Sequence, residues 1–125
     1  MLNYDTYELI HLTGIFFVLV AVGSVALHAA NGGLKVTSTT RRLVAITHGI
    51  GMFVILLGGF GLLARLGIQQ GGGFPGWVWV KLGIWVLLGA LIAVPYRWPA
   101  AARAIWLLVP VLGVIAGFFA IFKPI

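Results

Sequence analysis

The chain has 125 residues, of which 62% are hydrophobic and 8% are charged, and its mean hydropathy is +1.14. Soluble domains carry about 25% charged residues, so this composition excludes a soluble globular domain and predicts an integral membrane protein in a lipid bilayer. The net charge of +6 comes from basic residues at the ends of apolar runs. Because such residues set membrane topology and meet anionic lipid, we expect no nucleic-acid partner. Cysteine is absent, which excludes thiolate metal sites and c-type haem.

Four apolar runs, each near the roughly 20 residues that cross a bilayer, predict an all-α integral membrane protein with a four-transmembrane-helix bundle. Residues 1–125 are expected to form one domain, with helices at about 6–30, 41–66, 77–94 and 102–122. The glycine triplet and Phe-Pro-Gly within residues 68–76 predict a loop between the second and third helices. The five tryptophans are predicted to be mostly interface anchors.

The distribution of basic residues predicts the orientation in a bacterial inner membrane. The first and third predicted loops carry Lys35, Arg41, Arg42, Arg97 and Arg103. The opposite side carries Arg65, Lys123 and Lys81. By the positive-inside rule, both termini are therefore predicted to lie on the non-cytoplasmic side.

Lys81 lies about one turn inside the third apolar run, where an ionisable residue costs roughly 2.5 to 3.5 kcal/mol. Counting residues at about 1.5 Å each places His11 at a similar depth in the first helix. His11 is a candidate haem ligand or proton acceptor, or else a histidine bonded to a carbonyl or to Glu8. Lys81 is a candidate partner for a haem propionate or an acidic substrate, or a base, or else it extends outward past Trp77.

Two further histidines lie near the opposite ends of the first two helices. His28 and His48 could form a bis-histidine site for haem or a metal ion, or could bond separately to carbonyls or phospholipid. His11 and His28 are about 25 Å apart along an ideal helix, so they cannot bind the same metal ion. Met52 lies one turn after His48, which allows a soft site for Cu(I) or haem, although a core-filling role is the favoured interpretation.

The segments that carry these residues resemble a known family. LIHLTGIFFVLVAVGSVALH, RRLVAITHGIGMFVILLGGFGLL and WVWVKL are similar to the small four-helix membrane proteins grouped around HemJ-type protoporphyrinogen oxidases, SirB-type proteins and CopD-type copper proteins. The HemJ type binds b-type haem and depends on a first-helix histidine and on the lysine of a W-x-x-x-K-L segment. The resemblance implies His11 and Lys81 as catalytic residues, haem b as cofactor and a porphyrin as substrate. Trp79 departs from the HemJ pattern, which has histidine at this position. The difference affects the expected oxidase activity more than the expected fold.

Three functions follow from these residues. The first is a membrane haem protein that transfers electrons or oxidises a porphyrin, with His11, His28, His48 and Lys81 as candidate cofactor-binding residues and the three histidines as candidate metal ligands. The second is a non-enzymatic subunit whose small-residue faces pack onto a larger membrane complex. The third is a copper-handling protein. A homo-oligomer is compatible with each of them.

Overall fold

A computed structural model describes residues 2–68 and 72–125, and this part of the chain is all-helical, with no β-strand. Residues 69–71 of the predicted loop lie outside the described residues. In chain order the elements are α1 (Tyr4–Ala30), α2 (Arg41–Arg65), α3 (Gly76–Leu91), the one-turn α4 (Val94–Arg97) and α5 (Ala102–Phe122). Three helices, α1, α2 and α5 with the turn before it, are long and apolar enough to cross a membrane, whereas α3 has 16 residues.

Local chemistry explains where α1 begins and where α3 ends. α1 begins at Tyr4 because the side chain of Asn3 accepts a hydrogen bond of 2.9 Å from a backbone N–H of the first turn, as a favourable N-cap does. α3 ends at Leu91, before the predicted end at Val94. Pro95 lies in the separate turn α4, because proline cannot supply the N–H that a continuing helix needs.

Large apolar side chains cover the outside of the helices. Val20 on α1 is 69% exposed, and Val114 and Ile121 on α5 are 73% and 74% exposed. Soluble monomers rarely expose contiguous apolar patches above a few hundred Å². The surface is therefore compatible with a multi-pass membrane protein, in which lipid covers such side chains.

α1 and α2 approach each other closely because glycine occupies their crossing. A Cβ atom on Gly14 would lie 2.7 Å from the backbone nitrogen of Ile55, and one on Gly51 would lie 2.8 Å from Val18. Apolar helices gain little from the hydrophobic effect when they associate in lipid, so close van der Waals contact at small residues drives their packing. These glycines fix the register of α1 against α2.

The main apolar core lies between α1, α2, α3 and α5. Its buried members are Val18, Val22, Ala26, Met52, Ile55, Ile84, Leu88, Leu91, Ile105, Val109 and Leu112. A smaller cluster of Leu63, Trp77 and Val78 lies near the beginning of α3. The first cluster holds the helices together at mid-length, and the second closes the end at which α1 and α3 begin.

The substitution Gly58→Ala tests the close packing of α1 and α2. A Cβ atom there would lie 2.5 Å from the backbone nitrogen of His11, so we expect a loss of about 1 to 3 kcal/mol of stability from overpacking. Gly49→Ala is the matched control on the same helix, because nothing lies within 4 Å of its Cβ position. Thermal unfolding in detergent measures both variants, and equal midpoints would contradict the packing.

Candidate functional site

A cavity of about 410 Å³ lies between α1, α2, α3 and α5. Its walls are mostly apolar, and its titratable side chains are Tyr4, Glu8, His11, Lys81 and Lys123. Sites for small molecules and cofactors have volumes of roughly 300 to 1,000 Å³ and combine apolar walls with a few polar groups. In size and chemistry, this cavity belongs to that class.

Small residues of α5 form one wall of the cavity. Gly113, Ala116, Gly117 and Ala120 all line it, and their spacing places them on one helical face. No heavy atom lies within 4 Å of the Cβ position of Gly117. The wall therefore leaves room beside α5 for a flat ligand.

His11 lies in a notch of α2 formed by two consecutive glycines. Its Nδ1 donates a hydrogen bond of 2.8 Å to the carbonyl oxygen of Ile55. A Cβ atom on Gly59 would lie 3.2 Å from Cε1 of the ring, and the backbone of His11 lies against Gly58. The sequence places glycine where the imidazole must pass to reach the carbonyl.

This hydrogen bond fixes the chemistry of the other ring nitrogen. A carbonyl only accepts, so Nδ1 carries the proton, and in the neutral ring Nε2 keeps its lone pair. No buried side-chain nitrogen or oxygen in the described part of the chain lacks a partner, so Nε2 of His11, which has none, is open to the cavity. Histidines that bind metals have this arrangement, with the other nitrogen donating to a carbonyl or carboxylate.

Lys81 also lines the cavity, from α3, one helical turn after Trp77. Its Nζ atom lies 5.9 Å from the centroid of the Trp77 ring, and among the described residues it forms no hydrogen bond or ion pair. Glu8 lines the same cavity without pairing with it. The structure thus places His11 and Lys81 in the walls of one cavity, with no direct bond between them.

His48 has a structural partner on α3. Its buried ring donates from Nε2 to the carbonyl oxygen of Leu88 at 3.1 Å. In return, the indole of Trp85 donates to the carbonyl oxygen of Met52 on α2 at 3.0 Å. These two bonds join α2 to α3, and Met52 itself lies in the apolar core.

His28 lies at the end of α1 and bonds to the following loop. Its Nε2 donates to the carbonyl oxygen of Leu34 at 3.1 Å, and the edge of its ring meets Tyr96 at a centroid distance of 6.4 Å. No contact joins its ring to that of His48 within residues 2–68 and 72–125. The bis-histidine site stays a prediction. Across the same residues, no group of three His, Cys, Asp or Glu could hold a metal ion.

Sequence reasoning missed two residues of this cavity. Trp77 is predicted to be an interface anchor, and the sequence does not indicate that its ring is 8% exposed and forms part of the cavity wall. Lys123 was expected only as a charge after the last helix, yet its Nζ lies 5.2 Å from the Trp77 ring. No sequence spacing relates Lys123 to Trp77, because the packing of α5 on α3 brings them together.

Comparisons with known protein families, with curated proteins and with solved structures find no match for this chain. A fold alone hosts many functions. The function is therefore inferred from the residues of the cavity.

We expect His48→Leu to lower stability by about 1 to 2 kcal/mol, because it removes a buried hydrogen bond between helices. His28→Leu removes a more exposed bond and should cost less. Thermal unfolding of the two variants measures the difference. Because His48 is absent from the cavity walls, its loss should leave ligand binding there unchanged, and a variant with normal stability but no ligand binding would contradict the structural role.

Proposed function

We propose that this chain is a bacterial inner-membrane protein with four transmembrane helices, and that its cavity binds b-type haem or a closely related porphyrin. α3 is the shortest of the four helices, about 24 Å long at 1.5 Å per residue, and would cross together with its flanking residues. The basic residues between α1 and α2 and around α4 support a topology with both termini on the non-cytoplasmic side.

The observation that carries this proposal is that one apolar cavity contains both His11 and Lys81. A b-type haem needs an axial nitrogen, a cation for its carboxylates and an apolar slot for its flat ring. Nε2 of His11 would provide the axial nitrogen, and the ammonium group of Lys81 would pair with a propionate. Gly59 leaves space for the His11 imidazole, and the open Cβ position of Gly117 leaves space in the cavity wall for the flat ring of the ligand.

Bound haem would supply one-electron redox chemistry. The chain contributes orientation and charge. The Ile55 carbonyl holds the His11 ring in one direction, and the mostly apolar walls would surround the flat ring of the ligand. The likeness to HemJ-type proteins favours porphyrin oxidation as the reaction, with Lys81 binding the substrate acid, whereas electron transfer alone would need only the haem and His11.

The visible spectrum of the purified protein tests the proposal. After expression with ample haem, the wild type should show a Soret band that shifts on reduction. His11→Ala should lower haem occupancy by about tenfold or more, because it removes the axial nitrogen. His28→Ala is the matched control and should keep the wild-type spectrum. A wild type with no Soret band would contradict haem binding.

A second function is favoured by two glycines on the outside of the bundle. Nothing lies within 4 Å of the Cβ positions of Gly49 on α2 and Gly83 on α3, so another helix could approach both. Gly14, Gly51 and Gly58, in contrast, pack inside the chain. A non-enzymatic subunit of a larger complex, or a homo-oligomer, would use the exposed pair. Copper handling is less well supported, because Met52, the second soft ligand that it would use, lies in the apolar core.

The substitution Gly83→Leu separates the two functions. If the protein is a packing subunit, Gly83→Leu should prevent it from assembling with its partner or with further copies of itself, whereas His11→Ala and Lys81→Ala should assemble normally. Size-exclusion chromatography in mild detergent measures this assembly. If the protein binds haem, Gly83→Leu should keep the Soret band, because Gly83 is absent from the cavity walls. Normal assembly of Gly83→Leu would count against the subunit function.

A further inference from the structure

A second lysine reaches the cavity beside Lys81. The Nζ atoms of Lys81 and Lys123 lie 5.9 Å and 5.2 Å from the centroid of the Trp77 ring. The two Nζ atoms are therefore no farther apart than the sum of these two distances. Both lysine side chains also line the cavity. The Trp77 ring thus carries two cationic neighbours from different helices.

The end of α5 is held against the beginning of α3, which fixes the position of Lys123. The backbone of Lys123 adopts a left-handed conformation with φ of 46°, which is uncommon for residues other than glycine, and its Nζ donates to the carbonyl of Ala120. The backbone N–H of Gly76 donates to the carbonyl oxygen of Ile125 at 3.3 Å. A Cβ atom on Gly76 would lie 2.9 Å from the Ile125 side chain, so the two segments are in close contact.

The chain offers these two ammonium groups little negative charge. Asp5 and Glu8 are the only acids in the sequence, and in the described residues neither forms an ion pair with Lys81 or Lys123. The two lysines instead repel each other. Lys81 is half-buried and Lys123 is exposed, so an anion that lay between their ammonium groups would offset the repulsion and be attracted by both charges.

We propose that Lys81 and Lys123 form one subsite for two acid groups at the same edge of an apolar ligand. In this subsite Lys123 is the specificity-determining residue, because it distinguishes a diacid from a neutral molecule of the same shape. The inference rests on the proposed cavity ligand and adds to it the paired acids and the second lysine. We assign carboxylates of a cavity ligand rather than a lipid head group, because both amines flank the ring of Trp77, which is 8% exposed, and both side chains line the cavity.

The test compares protoporphyrin IX, which has two free carboxylates, with its dimethyl ester, which has none. Both lack iron, so their binding does not depend on axial ligation by His11. The full chain is placed in nanodiscs of phosphatidylcholine, and porphyrin fluorescence is titrated. We expect the wild type to bind the diacid at least about tenfold more tightly than the diester, the size expected for a hydrogen bond to a charged group.

Variants assign this preference to Lys123. Lys123→Gln should weaken binding of the diacid by about tenfold and leave the diester unchanged, whereas Lys123→Arg should keep the preference. Lys35→Gln is the matched control, since it removes one positive charge from the exposed turn before α2, and it should change neither affinity. Unfolding midpoints close to that of the wild type show that the variants are folded.

Four results would overturn the inference. The first two are that the wild type binds both porphyrins with equal affinity and that it binds neither. The third is that Lys123→Gln weakens binding of the diacid and of the diester equally. The fourth is that phosphatidylglycerol displaces the diacid from the wild type but not from Lys123→Gln. The last would identify a lipid head group as the occupant. If the protein shows no Soret band but still prefers the diacid, haem binding is refuted and the subsite is supported. If it shows a Soret band but no preference for the diacid, haem binding is supported and the subsite is refuted.

Discussion

The hydrogen bond from His11 to the Ile55 carbonyl depends on the close approach of α1 and α2, and it sets the orientation of the imidazole that lines the cavity. Gly58 brings the backbone of α2 against that of α1, and Gly59 leaves space for the ring itself. A larger residue at either position would move the imidazole away from its acceptor. The packing of α1 on α2 and the orientation of the His11 ring therefore depend on the same residues, because the glycines at which the two helices meet also position Nε2 at the cavity.

Two other polar side chains within the helices have structural partners of this kind. His48 donates from α2 to α3 and Trp85 donates from α3 to α2, each to a backbone carbonyl. Such bonds between helices are worth roughly 0.6 to 2 kcal/mol in membranes, and they add direction to contacts that apolar side chains leave unspecified. Lys81 differs from these residues because, in the described part of the chain, it has no hydrogen-bond partner and only the Trp77 ring contacts its charge.

The sequence predicts the helices well, because long apolar runs have few other structures available to them. It also predicts that His11 and Lys81 lie at one depth, since depth follows from counting residues along each helix. The rotation of each helix is much harder to predict, because these helices are apolar on all faces. For that reason the acceptor of His48 and the position of Lys123 were missed, as both depend on which faces of different helices meet.

Lys81 is difficult to explain by stability alone, because its half-buried amine has no anionic partner among the described residues. Lys81 lies near enough to a helix end to extend toward the interface, as lysines near membrane surfaces do, yet its amine lies beside a buried indole. Lys123 then adds a second positive charge to the same place. Residues that oppose stability are expected at sites where function requires them. A ligand that brings paired acids would convert the repulsion between the two lysines into attraction, and this accounts for both charges with one cause.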